Sequence, residues 1–174
     1  VKFLNPILNP DVASQKESIV DVLCRDSKGI QTIVEMQVAR TTGFEKRAQY
    51  YAAGAYFSQA DVGGKYQDLK EVIFIAITDF VLFPEDSEHI STHHILNIKT
   101  YRHYLKDFKF VFIELPKFTK TKEDQLENIF EKWCYFFSAT RKVMVLWWLN
   151  SIFPDIRDNV YLTYQRVATF GMQA

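Results

Sequence analysis

Several things are scarce in this chain of 174 residues, and each scarcity excludes a class of protein. There are two cysteines, Cys24 and Cys134, with no metal-binding spacing, so a disulfide framework and a zinc finger are both excluded. Both read as buried free thiols, which suits a reducing compartment. Six glycines and five prolines exclude collagen-like and low-complexity chains. There is no excess of charge of either sign: the formal net charge is zero, where a strongly basic balance would have pointed at once to nucleic acid. A local basic patch remains compatible with neutrality. The most apolar run, Val143 to Phe153, is too short to span a bilayer and reads as a buried helix. No basic-then-apolar leader opens the chain, and the expectation is a cytoplasmic protein without a membrane partner. No Walker loop, GxGxxG, GxSxG or HExxH motif is present, so no organic cofactor is expected.

What is abundant is apolar and aromatic: 48% of residues are hydrophobic and 16% are Phe, Trp or Tyr. That is enough for one ordinary core, and the chain reads as a single domain over 1–174. Strands are expected at about 18–25 and 30–39, joined through Asp26-Ser27-Lys28-Gly29 with Gly29 in a left-handed turn position. Phe3 to Pro6 reads as a turn. Thr42 and Glu45 match a capping box, opening a helix to about Gln59 with a buried stripe of Phe44, Ala48, Tyr51, Ala52, Ala55 and Tyr56. Glu71 to Phe80 is nearly all apolar, the pattern of a strand covered on both faces. His94 to Thr100 reads as an edge strand and Phe108 to Leu115 as an inner one. Helices are expected at about 122–137, 140–152 and 156–168. The sum is an α/β protein of mixed α+β order, a central mixed sheet flanked by helices with further helices at the C-terminal end.

One hairpin carries chemistry. If Asp26 faces Ile30, then Asp21 faces Glu35, and directly opposed residues hold their Cβ atoms roughly 4.5–5.5 Å apart. Gln37 shares their face, whereas Thr32, Val34, Met36 and Val38 are expected to point into the core. Two carboxylates this close repel, and a proton or a hard cation such as Mg²⁺ resolves the repulsion. A solvated face that happens to bear two acids is the other reading, and spacing leaves both open. Arg40, Lys46 and Arg47 follow the second strand, where they either contact phosphate or form a solvated helix face. Tyr50 and Gln59 are candidates to line the same cleft. His89, His93, His94 and His103 look like surface residues rather than zinc ligands, because the adjacent pair would face opposite ways on a strand. The runs around Trp133 and Trp147 look like helix-packing core.

Taken in order, these residues resemble a family. Ile19 to Leu23 with Asp26 and Gly29, Ile33 to Gln37, Phe44 with Arg47, Tyr50-Tyr51, Tyr56 with Gln59, Tyr66 with Leu69-Lys70 and Val72, Ile77 to Phe80 and Phe112 to Phe118 are similar to the PD-(D/E)XK nuclease family transposases. The likeness is to the branch of PD-(D/E)XK nuclease family transposases, or Rpn-like recombination-promoting nucleases, and it covers about residues 18–140. The resemblance implies a restriction-endonuclease-like core and Mg²⁺-dependent DNA cleavage, with Mn²⁺ able to substitute. It implies that Asp21, Glu35 and the Met36 carbonyl ligate the ion, that Gln37 stands where the wider superfamily has Lys, and that Arg47 meets a phosphate. A lead-in helix can supply another acid in related nucleases; here Asp11 and Glu17 are the acids before the first strand. The expected function is therefore a metal-dependent endonuclease acting on DNA, in keeping with DNA recombination. A catalytically weak or inactive nuclease-fold protein that binds nucleic acid or protein is the alternative, and a homodimer formed through aromatic helices is a third possibility.

Overall fold

The computed structural model describes residues 1–5, 7–8, 18–60 and 64–139. The chain divides into two compact units, Val1–Lys117 and Phe118–Ala174. The first unit holds eight described strands: β1 (Lys2–Phe3), β2 (Ile7–Leu8), β3 (Ser18–Ile19), β4 (Val22–Arg25), β5 (Gln31–Gln37), β6 (Val72–Thr78), β7 (Ile90–Ile95) and β8 (Leu105–Glu114). Six form one mixed sheet in the order β1-β4-β5-β6-β8-β7, and β2 pairs with β3 in a small ribbon. Helix α1 (Phe44–Phe57) connects β5 to β6, which run parallel and so need a crossover of this kind. The result is the restriction-endonuclease-like α/β core expected from the sequence.

The hairpin register follows its turn. Asp26 donates its N–H to the Ile30 carbonyl at 3.0 Å, and its Oδ1 accepts the N–H groups of Lys28 and Ile30. Gly29 takes the left-handed position, φ 89°, which a β-carbon would disfavour. From this turn Arg25 pairs with Gln31 and Val22 with Val34. The edge strand of the sheet is Ile90–Ile95, earlier in the chain than the expected 94–100, and residues 98–100 belong to the turn after it. The opening residues form strand β1 against β4 rather than a turn.

The buried face is the opposite of the one expected. Gln31, Ile33 and Glu35 are buried, whereas Thr32, Val34 and Met36 are only half-buried. The reason lies in α1. Its small residues Ala48, Ala52 and Ala55 lie in one core cluster with Leu23, Ile33, Phe74, Ala76 and Phe112, the side of the sheet that carries Glu35. Alternation along a strand gives two faces but does not say which one a helix will cover. The central strand β6 is buried through Val72, Phe74 and Ala76 on this side, with Ile73 and Ile75 half-buried on the other.

A buried ion pair closes the end of the sheet. Glu114 accepts the N–H groups of Leu82 and Phe83 and pairs with Lys117, which also donates to the Phe83 carbonyl at 2.7 Å. Each partner of this buried pair thus also meets backbone groups of the Leu82–Phe83 loop.

In the second unit, Asn128 caps helix α2 (Ile129–Ala139), its Oδ1 accepting the Glu131 N–H at 2.9 Å. Lys120 bridges Glu127 and Glu131. Burial pushes the Cys134 thiol up to about 11, in keeping with an inert core cysteine. The helices expected at 140–152 and 156–168 lie outside the described residues.

Candidate nucleic-acid site

The site begins at the end of the β4–β5 hairpin. Continuing the register one step beyond Val22 sets Asp21 opposite Glu35, and the two are joined directly. Asp21 donates its backbone N–H to Glu35 Oε2 at 3.2 Å. The Asp21 carboxylate in turn accepts the backbone N–H of Met36 at 2.8 Å. Gln37 donates from Nε2 to Glu35 Oε1 at 3.4 Å. Asp21, Glu35 and Gln37 are thus brought together.

The electrostatics follow from burial. The Glu35 side chain is 6% exposed. Desolvation first, and then the neighbouring Asp21 charge, push its carboxyl up to about 7. Asp21 is also raised, chiefly by desolvation, with the Met36 N–H and Arg47 pulling the other way. This is a pair of hard oxygen donors short of positive charge. Among the described residues no group of three or more His, Cys, Asp and Glu could hold a metal. Asp21 and Glu35 are the acids able to share a cation here.

Arg47 supplies the nearest cation. Its Nη2 lies 3.7 Å from Glu35 Oε1, close enough for ion pairing but too far for a hydrogen bond. Nε and Nη2 are shielded from solvent and make no hydrogen bond. The guanidinium packs over the Phe44 ring at 5.0 Å and the Tyr51 ring at 6.0 Å. Arg47 also lines a cleft of about 500 Å³ together with Thr41, Thr42, Lys46, Tyr50 and Tyr51. Gly43 opens α1 with φ 78° and no side chain caps that end, so the Thr42–Glu45 capping box does not form. Backbone N–H groups at such an end favour anions.

Other residues fall elsewhere. Arg40 is exposed between β5 and α1 and does not line the cleft. Gln59 is occupied by a different task. Its amide donates to the Lys70 carbonyl at 3.0 Å and accepts the Lys70 N–H at 2.9 Å, pinning the segment ahead of β6. Tyr51, expected in the buried stripe of α1, lies beneath the Arg47 guanidinium and lines the cleft, where burial and the nearby Glu35 charge raise its phenol. The signal was available: Phe44, Arg47 and Tyr51 have i, i+3 and i, i+4 spacing on one helix face.

A family model described as PD-(D/E)XK nuclease family transposase matches residues 1–145. The chain belongs to this family. No curated protein and no solved structure gives a significant match. In this PD-(D/E)XK chain Asp21 and Glu35 meet at the end of the β4–β5 hairpin with Gln37 beside them, and the first turns of α1 add Lys46 and Arg47. No helix among the described residues is long and apolar enough to cross a membrane.

Proposed function

We infer that this PD-(D/E)XK chain is a nucleic-acid-binding module whose phosphodiester chemistry is weak or absent. The observation that carries this reading is the make-up of the site. Two acids converge with a neutral Gln37 beside them, and Arg47 stands against Glu35 where a fuller site would place a cation and further ligands. The adjoining cleft suits a phosphate, being lined by Lys46, by Arg47 and by the uncapped start of α1.

A second reading, Mg²⁺-dependent DNA endonuclease, is favoured by the Glu35 carboxyl pushed up to about 7. A divalent ion would relieve that repulsion, and Mg²⁺ is often held by only one or two carboxylates together with substrate phosphates and water. Asp21 and Glu35 would hold it, with the Met36 carbonyl as a further oxygen donor. The bound ion would supply polarisation of the scissile phosphate and activation of water. Gln37 can orient a water or a phosphate oxygen but carries no charge, and Arg47 would balance charge on the phosphate.

The two readings separate in one experiment. DNA binding is followed by anisotropy across a salt series, and nicking of supercoiled plasmid is followed with Mg²⁺ or Mn²⁺. Salt-dependent binding with little or no nicking supports the binding module. Prompt nicking that is lost in Asp21→Ala and Glu35→Ala, both still folded, establishes the endonuclease instead. Failure to bind DNA at any salt concentration defeats both.

A further inference from the structure

A second surface of the first unit has chemistry of its own. The β7–β8 hairpin ends in a tip from Ile95 to Lys106 that contains no acidic residue and presents Lys99, Arg102 and Lys106 to solvent. Interleaved with these cations are apolar side chains at unusual exposure: Ile98 is 86% exposed, Tyr101 77% and Tyr104 65%. Single exposed apolar residues are ordinary, but several on one short turn are not.

The tip is also built to hold a shape. The Asn97 carboxamide oxygen accepts the N–H groups of Lys99 and Thr100 at 3.0 Å each. Tyr101 donates its N–H to the Asn97 carbonyl at 2.7 Å, and Asn97 donates its own to the Arg102 carbonyl at 3.0 Å. Tyr101 adopts φ 55°, the one non-glycine residue at positive φ among those described. A bulky side chain there is strained, and glycine would fit without cost. Arg102 Nη1 donates to the Tyr104 hydroxyl at 3.3 Å, steadying that ring.

The tip lies far from the acid pair. Glu35 shares a row of the sheet with Ala76 and Phe112, and Leu105 begins β8 seven residues before Phe112. The ladder is irregular between His94 and Ile95, so the separation is better counted on β7, from Ser91 opposite Phe112 to Ile95 opposite Leu105, roughly 13 Å before the turn itself begins.

We propose that the β7–β8 tip is a second nucleic-acid contact, engaging an unpaired strand through stacking on Tyr101 and Tyr104 and phosphate contacts to Lys99 and Arg102. The proposal rests on the nucleic-acid reading above. Alternating aromatic and cationic side chains fit a single strand, whose bases expose their π-faces and whose phosphates recur beside them. A duplex would hide those faces.

The test uses the full chain, a labelled oligothymidylate, a duplex of equal length and anionic lipid vesicles. Tyr101→Gly removes the ring while suiting the backbone, so its melting temperature should match or exceed that of the wild type. Its affinity for the single strand should fall roughly tenfold, within the range of one lost base stack, with the salt slope unchanged. Lys99→Gln with Arg102→Gln should reduce the salt slope by about 1.4, or about 0.7 per phosphate contact. Single-strand binding by both variants indistinguishable from wild type overturns the proposal while leaving the cleft reading standing. Loss confined to anionic lipid vesicles assigns the tip to a membrane surface and overturns it too. A wild-type chain that binds no nucleic acid removes the cleft reading as well.

Discussion

Asp21 gives its backbone N–H to the Glu35 carboxylate at 3.2 Å, across the first step beyond the β4–β5 ladder. Backbone geometry therefore holds two acids together that electrostatics would separate. Glu35 is the more costly partner, because it is buried as well as next to a like charge.

That cost sets a pH dependence. Burial and the Asp21 charge push the Glu35 carboxyl up to about 7 in the folded chain, from an ordinary value of 4.5. The folded state binds the extra proton between these values, so this group favours folding below pH 4.5. The contribution is lost as pH rises through about 7, and above that it changes no further. Asp21 is raised too, but it is exposed to solvent and adds little. The expected loss is on the order of 3 kcal/mol at most. Urea melts between pH 4.5 and 8.5 should show it, and Glu35→Gln should flatten the curve and exceed wild-type stability at pH 8. A wild-type curve that rises toward pH 8 would contradict this placement of Glu35.

Divalent cations offer an independent probe of the same pair. If Asp21 and Glu35 share an ion, Mg²⁺ or Mn²⁺ stabilises the fold by mass action, by about 2.7 kcal/mol at a hundredfold excess over Kd. The shift in melting temperature should be larger at pH 8 than at pH 5.5, because ligation needs both carboxylates ionised. Asp21→Asn should abolish it. Equal shifts in wild type and variant would locate the metal elsewhere.

Much of this site was legible in the sequence, and the reasons are local. The Asp26–Gly29 turn fixes the hairpin register, so Asp21 and Glu35 could be paired by counting. The ordered series from Ile19 to Phe118 pointed to the family, which the match over residues 1–145 bears out. What counting could not supply was which face α1 would cover. Val34 and Met36 look like core, and Gln31 and Glu35 look like surface, yet the Ala48–Ala55 stripe packs on the Glu35 side. The capping box failed for a related reason. Thr42 has the right side chain, but Gly43 at φ 78° takes the cap position and turns the chain into the helix. The place of Gln59 depended on Lys70, a tertiary contact with no local signature.

Arg47 joins the acid pair to the cleft, and its role separates into charge and packing. Arg47→Lys keeps a cation but loses the planar contact with Phe44 and Tyr51. Arg47→Ala loses both and should raise the Glu35 pKa further, since Arg47 is among the groups that lower it. DNA affinity in Arg47→Ala should fall and the salt slope should lessen by about 0.9 for a lost duplex phosphate contact. Carboxyl titration followed by NMR gives the first quantity and anisotropy the second. An unchanged salt slope would mean that Arg47 serves Glu35 alone.

The Glu114–Lys117 pair provides the sharpest stability test, because nothing about it depends on ligand. Glu114 is buried and satisfies two backbone N–H groups besides Lys117. Glu114→Ala strands a largely buried ammonium and two amides, and should destabilise the chain by about 3–5 kcal/mol. Lys117→Met leaves an unpaired carboxylate, although the Leu82 and Phe83 N–H groups still support it, so its cost should be smaller. In the double variant Glu114→Gln with Lys117→Met, no charge remains and a side-chain amide oxygen can still accept from the loop. Its loss should be smaller than that of Glu114→Ala alone, giving a clear non-additivity in a denaturant double-mutant cycle. Additive losses would show that the carboxylate acts through the loop N–H groups and that the ion pair itself contributes little.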